Sequence, residues 1–524
     1  MNMATTTDSS ALPSEVDVAI VGSGFSGLCM AIKLREAGMD DFIVLERGEA
    51  VGGTWWFNTY PGCGCDVPSH LYSFSFAPNP DWSRTYSKQG EIEAYLQRVA
   101  RDFDLGRSVA LGTTVTGAEW DEDARRWHVA TDRGDVSARV LVSAAGALSD
   151  PKTPEIEGLD RFQGHTFHSA QWDHDAPLDG ARVAVIGTGA SSVQFTPEIA
   201  PRASQLFLFQ RTPPWLGPSP DYHDAVPDGQ RWLYAHVPTY SEWNRFWMFW
   251  RMGDGSIPGV RVDPDWDSSN GTISAVNDLM RTMFVSYLER EFADRPDLVP
   301  HVVPTYPPGA KRLLRDNGVW AGALTRDNVT LVTDEIREIT PTGIVTADGS
   351  TREVDAIVVA TGFHTTEQPI AEHIKGRDGR TLADAWREHG QAAYKGTTIA
   401  GFPNLFQIVG PNTGLGHSSM VFIIESQIAY IVSALQQIGQ RELGTVEPTP
   451  EAQQSWNDDV QRRMQRTVWN TGGCASWYLD SHGRNTTLWP RTTFKFRELL
   501  SRFDLDQYVV TPRQDAPTTK EHAA

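Results

Sequence analysis

This chain of 524 residues has few cysteines, only Cys29, Cys63, Cys65 and Cys474. Four in so long a chain do not make a disulfide framework, which fits a reducing, cytoplasmic setting. Unbroken apolar runs are short as well. The longest stretch, Met420 to Leu435, is interrupted by Glu425, Ser426 and Gln427, so no stable membrane insertion is expected. A basic start followed by an apolar core is missing, and Met1 to Asp17 reads as a polar, disordered lead-in rather than a secretory signal. Positive charge is scarce too: 46 Lys and Arg stand against 66 Asp and Glu, a net charge of -20 with no Lys/Arg stripe. A polyanion would be repelled, which argues against nucleic acid as a partner. His168 has no second His, Cys or carboxylate at ligand spacing, so no metal site is expected.

What the chain does have is one nucleotide-binding pattern, present twice. The first copy is a buried-strand pattern, Asp17 to Val21, running into Gly22-Ser23-Gly24-Phe25-Ser26-Gly27. Glu46 follows Gly22 by 24 residues at the end of Phe42-Ile43-Val44-Leu45. A carboxylate there can take a ribose 2'-hydroxyl, as FAD or NAD requires. The second copy runs from Arg182 into Gly187-Thr188-Gly189-Ala190-Ser191-Ser192, and 24 residues after Gly187 stands Arg211. A cation there suits the 2'-phosphate of NADPH. Ser192 replaces the third glycine, a position that serves close helix-strand packing, where a small serine costs little. The expected cofactors are therefore FAD and NADPH, with a hydride passed from one to the other.

The expected fold is α/β, with two Rossmann-like domains of which the NADPH domain is inserted into the FAD domain. Residues 1–150 would form the first part of the FAD domain and 151–365 the NADPH domain. Residues 366–524 would return to the FAD domain and supply C-terminal substrate and cofactor loops. The strands ending in Ala144-Ala145-Gly146 and Ala360-Thr361-Gly362 mark the crossings. Residues 214–325, rich in Trp and Pro, read as a helical subdomain within the insert. There Trp243, Phe246, Trp247 and Trp250 fall at i, i+3, i+4, i+7. The spacing predicts a buried helix face, with an apolar substrate tunnel or a membrane-contact patch as alternatives. The chain after Ala516 is polar and expected to fray.

Between the two glycine turns stand Phe162, Gly164, His168, Trp172 and Asp173, at the spacing FxGxxxHxxxW(P/D). Gly53, Trp55, Tyr60, Pro61, Gly62 and Asp66 meet a second pattern, (A/G)GxWxxxx(F/Y)P(G/M)xxxD. With two nucleotide folds around them, these motifs make the chain resemble the type I Baeyer-Villiger monooxygenases along nearly its whole length. The resemblance is weakest across the helical insert.

The resemblance implies an enzyme that consumes NADPH and O2 and converts ketones to esters or lactones through a peroxide on the flavin C4a carbon. Such a site must shelter a peroxyanion from water and protons, a task for a cation that cannot give up its proton. Lys311-Arg312 matches the family's Lys-Arg pair. Arg312 would stabilise the peroxide, and Lys311 would join Arg211 and Thr212 on the 2'-phosphate. Asp66 matches the carboxylate that steers the arginine, Trp477 the tryptophan that packs on the nicotinamide nucleotide, and His168 a hinge residue. Arg47, Gly53, Thr54, Trp55 and Tyr60 would belong with the flavin. Gly410 to Ser419 reads as a turn-rich loop entering a helix whose N-terminus can stabilise negative charge on the reduced ring.

Cys63-Gly64-Cys65 has one residue between its cysteines, whereas flavin disulfide reductases use two or four, so the pair is expected to be structural. Two other functions stay open on the sequence: a flavin monooxygenase that oxygenates nitrogen or sulfur, and a flavin-binding sensor or scaffold. The aromatic content of the insert favours an apolar ketone as substrate. Neither the ketone nor the oligomeric state is legible.

Overall fold

The computed structural model of the protein describes residues 11–387 and 390–513. The stretch after Ala516, expected to fray, lies outside them, as does most of the expected lead-in. The lead-in is shorter than the sequence suggests, because Glu15–Val21 is already a strand. Val18, Ala19 and Ile20 are buried there, and main-chain pairing to neighbours on both sides fixes the segment from Glu15 onward.

Two sheets, one mixed and one parallel, organise the chain. The first pairs Glu15–Val21 with Phe42–Leu45 on one side and with Val136–Ser143 on the other. Val109–Ala110 extends it beyond Phe42–Leu45. The antiparallel strands Val115–Asp121 and Arg126–Thr131 continue it from Val136–Ser143. Two late strands return to this sheet, Ile374–Lys375 beside Val115–Asp121 and Leu405–Gln407 beside Val136–Ser143. The second sheet is wholly parallel, in the order Val329–Val332, Gln205–Phe209, Arg182–Ile186, Ala356–Val359, His165–His168. Its central strands are buried on both faces, as expected where helices cover a parallel sheet. The second Rossmann-like unit is thus inserted into the first, and the chain crosses at a bridge between Pro151 and Phe363.

Inside the second unit, the parallel pair Leu216–Pro218 and Leu314–Asp316 closes a mainly helical insert. It contains Asp228–His236, Pro238–Met252 and Ala275–Glu291. The Trp243 face is not buried as expected: Trp243 is 70% exposed, Trp247 54%, Trp250 47% and Phe246 44%. The helix docks through its other side. Phe249 is buried, and Arg245 reaches inward to donate to the His70 carbonyl at 2.7 Å and the Ser73 carbonyl at 2.8 Å.

The helix Met420–Gln440 is long and apolar enough to cross a membrane by length and composition. It is nonetheless a core element, packed on Phe25–Glu36. Val421, Ile423, Ile428, Tyr430 and Ile431 are buried in the main hydrophobic cluster.

Candidate active site

Both glycine turns follow the central strand of a sheet and open a helix, Phe25–Glu36 or Ala190–Ile199. Their local bonding is the same: Gly22 N–H donates to the Leu45 carbonyl at 2.8 Å, and Gly187 N–H to the Phe209 carbonyl at 3.0 Å. Gly22 has φ +99° and Gly187 φ +111°. A Cβ at either position would strike a carbonyl of the returning strand, Ala144 O at 2.8 Å or Ala360 O at 2.5 Å. Only glycine fits there, which holds the turn open over the helix N-terminus, where backbone N–H groups and the dipole receive a pyrophosphate. Ser192 is fully buried, its hydroxyl 3.2 Å from Thr196, in keeping with a packing position.

The residues expected to read the nucleotide lie at the ends of the neighbouring strands. Glu46 is buried, and its carboxylate accepts from Ser23 N–H, Ser23 Oγ and Gly48 N–H, each at 2.7 Å. Arg211 is exposed and Thr212 half-buried on the matching side of the second turn. Lys311 lies near Arg211, and its ammonium is held below its ordinary pKa by burial and by that cation. Two neighbouring cations that have no carboxylate partner among the described residues suit a phosphate. Arg47 donates to Ser149 O and Asp150 and also lines the cleft into which the first turn opens.

Both turns open into one cleft of about 1790 Å³. Glu46, Thr54, Trp55, Asp66, Arg211, Lys311, Arg312 and Trp477 all line it. Trp477 is 44% exposed, and its carbonyl accepts from Thr365 Oγ1 at 3.2 Å. The volume, the paired turns and the opposite charges at the two 2'-positions fit two dinucleotides side by side.

Arg312 is the cation at the centre. Its Nε and NH2 groups donate to one oxygen of Asp66 at 3.0 and 2.6 Å, and NH1 donates to the Leu415 carbonyl at 3.3 Å. Three of the five donors of a guanidinium are thereby used, leaving two free among the described residues. The side chains of Arg312 and Asp66 are 26% and 27% exposed, and both line the cleft. Burial pushes the Asp66 carboxyl up, but Arg312 and Arg315 outweigh it and hold the group below its ordinary pKa. Arg312 is in turn held above its ordinary value by Asp66, against burial. Both shifts favour the ionised form of the pair.

The two motifs meet at the domain boundary. Gly53 packs on Gly24, where a Cβ would come within 2.8 Å of the Gly24 Cα, and Trp55 Nε1 donates to Tyr72 Oη at 3.2 Å. Farther along the same motif, Tyr60 Oη donates to Gln194 Oε1 at 2.9 Å, and Gln194 Nε2 donates to the Gly64 carbonyl at 2.9 Å. Aromatic contacts continue through Phe195 to Trp172 and Phe167 in the FxGxxxHxxxW stretch. Gly164 fits under the Asp355 carbonyl, 2.4 Å from where a Cβ would lie. Phe162 packs on the edge of the second sheet's core, and Asp173 caps the following turn through Asp175 N–H at 3.0 Å. His168 ends the edge strand; its Nδ1 accepts from Ala170 N–H at 3.1 Å, and its Nε2 is buried without a well-formed hydrogen bond among the described residues. Burial lowers its pKa. A neutral ring that accepts at Nδ1 carries its proton on Nε2, and the Gly362 main chain beside the ring opposes the effect of burial.

No local pattern marks Gln194 or Arg315, which donates to the Asp66 carbonyl at 2.7 Å; their partners lie far along the chain. The Leu415 carbonyl is invisible to any motif for the same reason. Cys63 and Cys65 are free and buried. Burial pushes the Cys63 thiol up to about 12 and raises that of Cys65 further above its ordinary value, the opposite of an activated redox pair. Among the described residues, no group of three or more His, Cys, Asp or Glu is placed to hold a metal ion.

Residues 19–231 match the family model described as pyridine nucleotide-disulphide oxidoreductase. The chain is 47% identical to a protein of Streptomyces coelicolor named Baeyer-Villiger monooxygenase, over 94% of this chain and 92% of that one. Its fold is similar to that of an oxidised steroid monooxygenase bound to NADP, with TM-score 0.81 and 33% identity over 95% of this chain and 99% of that one. It is equally similar to OTEMO in complex with FAD and NADP, with TM-score 0.82 and 28% identity over 95% and 99%. With twin nucleotide turns opening on one half-buried Arg-Asp pair, the chain belongs to the Baeyer-Villiger monooxygenases, NADPH-dependent flavin enzymes.

Proposed function

We propose that this enzyme inserts one oxygen atom of O2 beside the carbonyl of a small apolar ketone, giving an ester or lactone, and that it works in the cytoplasm. When bound, FAD reduced by NADPH supplies the oxygen activation. The protein's own task is to hold negative charge on oxygen without quenching it. Arg312 does this with the two N–H donors that Asp66 and Leu415 leave free, and its permanent charge cannot be lost as a proton. Asp66 fixes the guanidinium plane and remains a carboxylate, so no acid stands beside the charge it serves.

Glu46, with the Gly22, Gly24, Phe25, Ser26 and Gly27 turn, holds the FAD ribose and pyrophosphate. Gly53, Thr54, Trp55 and Tyr60 close over the flavin side. Gly187 to Ser192 take the NADPH pyrophosphate, and Arg211, Thr212 and Lys311 take its 2'-phosphate. Trp477 packs on the nicotinamide nucleotide. His168 at the domain crossing is the hinge, and residues 1–150, 151–365 and 366–524 are the units it joins. The apolar lining near Arg312, with Val67, Tyr72, Leu415, Met420 and Ile424, supports an apolar substrate.

The observation that carries this reading is the placement of Arg312 in the shared cleft with two donors free. Replacing Arg312 with Ala is expected to lower the ester yield per NADPH by about 10²–10³-fold, the cost of removing one preorganised oxyanion donor. NADPH consumption continues, with its electrons leaving as hydrogen peroxide. An unchanged ester yield removes Arg312 from the role.

A further inference from the structure

We propose that Asp254 and His417 form a positioning pair that ties the helical insert to Arg312; this rests on the role given to Arg312 above. Arg312 has two anchors. Asp66 is a side chain, but the second anchor is a main-chain oxygen, Leu415 O, and its position depends on whatever holds its loop. The first half of that loop is pinned to the segment around Asn485–Trp489: Asn412 N–H donates to Thr486 O and Gly414 N–H to Thr487 O, both at 2.8 Å. The second half is held differently, by His417.

His417 is buried and stacks on the Trp469 indole with ring centroids 5.9 Å apart and planes 22° apart. Its Nε2 faces Asp254 Oδ1 at 3.4 Å. Asp254 belongs to the insert and follows the helix Pro238–Met252 by one residue. It is 5% exposed, a position where a carboxylate is costly unless its oxygens are satisfied. Oδ1 also accepts from Thr493 N–H at 2.7 Å and Thr493 Oγ1 at 2.9 Å, and Oδ2 accepts from Phe494 N–H at 3.1 Å. One carboxylate thus joins three separate parts of the chain: the insert, the start of the helix Thr493–Leu499, and the loop that carries Leu415.

A helix cap alone would need neither a carboxylate nor a histidine, since Ser, Thr or Asn caps as well. What the acid adds is acceptor capacity on both oxygens, so that it can hold Thr493 and Phe494 and still receive His417. Contact between insert and loop is also steric. A Cβ at Gly253 would come within 2.7 Å of Ser418 Oγ, and Ser418 lines the cleft. A shift of the insert therefore reaches Arg312 through two residues, His417 and Leu415. Neither touches the reacting atoms on this reading; both act by placing the guanidinium.

The test uses FAD-loaded enzyme with NADPH, O2 and acetophenone, cyclohexanone or octan-2-one, whichever gives the unsubstituted enzyme most ester. Ester and hydrogen peroxide are measured per NADPH consumed, together with the rate at which NADPH bleaches the flavin. His417→Phe keeps the stack on Trp469 and removes the bond to Asp254. It is expected to lower ester per NADPH by up to about tenfold, the scale of one lost hydrogen bond, with peroxide making up the difference and bleaching unchanged. His417→Gln, which restores a donor toward Asp254, recovers most of the yield. Adding His417→Phe to Arg312→Ala lowers the yield no further, because the two share one route.

If His417→Phe stays within twofold of the unsubstituted enzyme while Arg312→Ala collapses, the pair has no positioning role and the Arg312 reading survives. If Arg312→Ala also keeps its yield, or no ketone gives ester, the Arg312 reading has failed and this proposal with it. Should His417→Phe not retain FAD, Asp254→Asn carries the same comparison; it keeps an acceptor for Thr493 and sets an amide against Phe494 N–H or His417.

Discussion

Tyr60 donates a 2.9 Å hydrogen bond to Gln194 across the boundary between the two nucleotide units, from the flavin-side motif to the helix that opens on the second glycine turn. Gly62, two residues on, lies so close that a Cβ would meet the Gln194 carbonyl at 2.5 Å. The motif ending in Asp66 therefore does two things. Its first half lies against the first glycine turn, and its second half fixes the relative position of the two units just before it presents Asp66 to Arg312.

The two glycine turns make separable predictions. A Cβ at Gly27 would lie 1.9 Å from the Gly22 carbonyl, whereas one at Gly189 would meet no protein atom within 4 Å. Gly27→Ala is expected to yield protein with little FAD, read from the flavin-to-protein absorbance ratio. Gly189→Ala should fold with a full complement of FAD and the melting temperature of the parent. Its KM for NADPH should rise at least about tenfold if the backbone there meets a pyrophosphate. An unchanged KM removes the second turn from NADPH binding.

Arg211 and Lys311 are the neighbouring cations offered to the 2'-phosphate. Hydrogen bonds to charged groups are worth about 1.5–3 kcal/mol each, so Arg211→Ala should lower kcat/KM for NADPH by about 10–100-fold. The value for NADH, which has no 2'-phosphate, should be nearly unchanged. Equal losses for both cofactors would show that Arg211 has a structural role only.

The parts of the fold that were legible are those whose signal is local. Strand, glycine turn, helix and the charged residue on the next strand fall within about thirty residues, and both copies fold as their spacing implies. The Arg312–Asp66 pair spans 246 positions; nothing in either neighbourhood announces the other, and only the family resemblance joined them. The Trp243 face was misread because periodicity identifies a face without saying which side is inward. Here the long polar Arg245 finds two buried carbonyls, His70 O and Ser73 O, and the helix docks on that side, leaving the tryptophans outside.

His70 gives the docking of the insert a pH dependence. Its ring stacks on Tyr234 of the insert at 3.6 Å, and burial, with the charge of Arg245 nearby, lowers its pKa to about 4. The unfolded chain, with histidine near 6.5, binds more protons between those values, so stability rises with pH from about 4 to 6.5 and is level above, by about 3 kcal/mol at most. His70→Phe keeps the stack and removes the titration. Thermal melts from pH 4.5 to 7.5 should show a shallower rise for the variant, and parallel curves would assign the dependence to other groups.

The most direct test of the central claim is to incubate the purified enzyme with NADPH, isotopically heavy O2 and a mixture of aryl, cyclic and linear ketones plus a thioether, and to weigh the products by mass spectrometry. Esters or lactones carrying one heavy oxygen are the predicted result, and Arg312→Ala should lower them by about 10²–10³-fold. Labelled sulfoxide without ester, or hydrogen peroxide alone, would contradict the assignment of ketone oxygenation to this site.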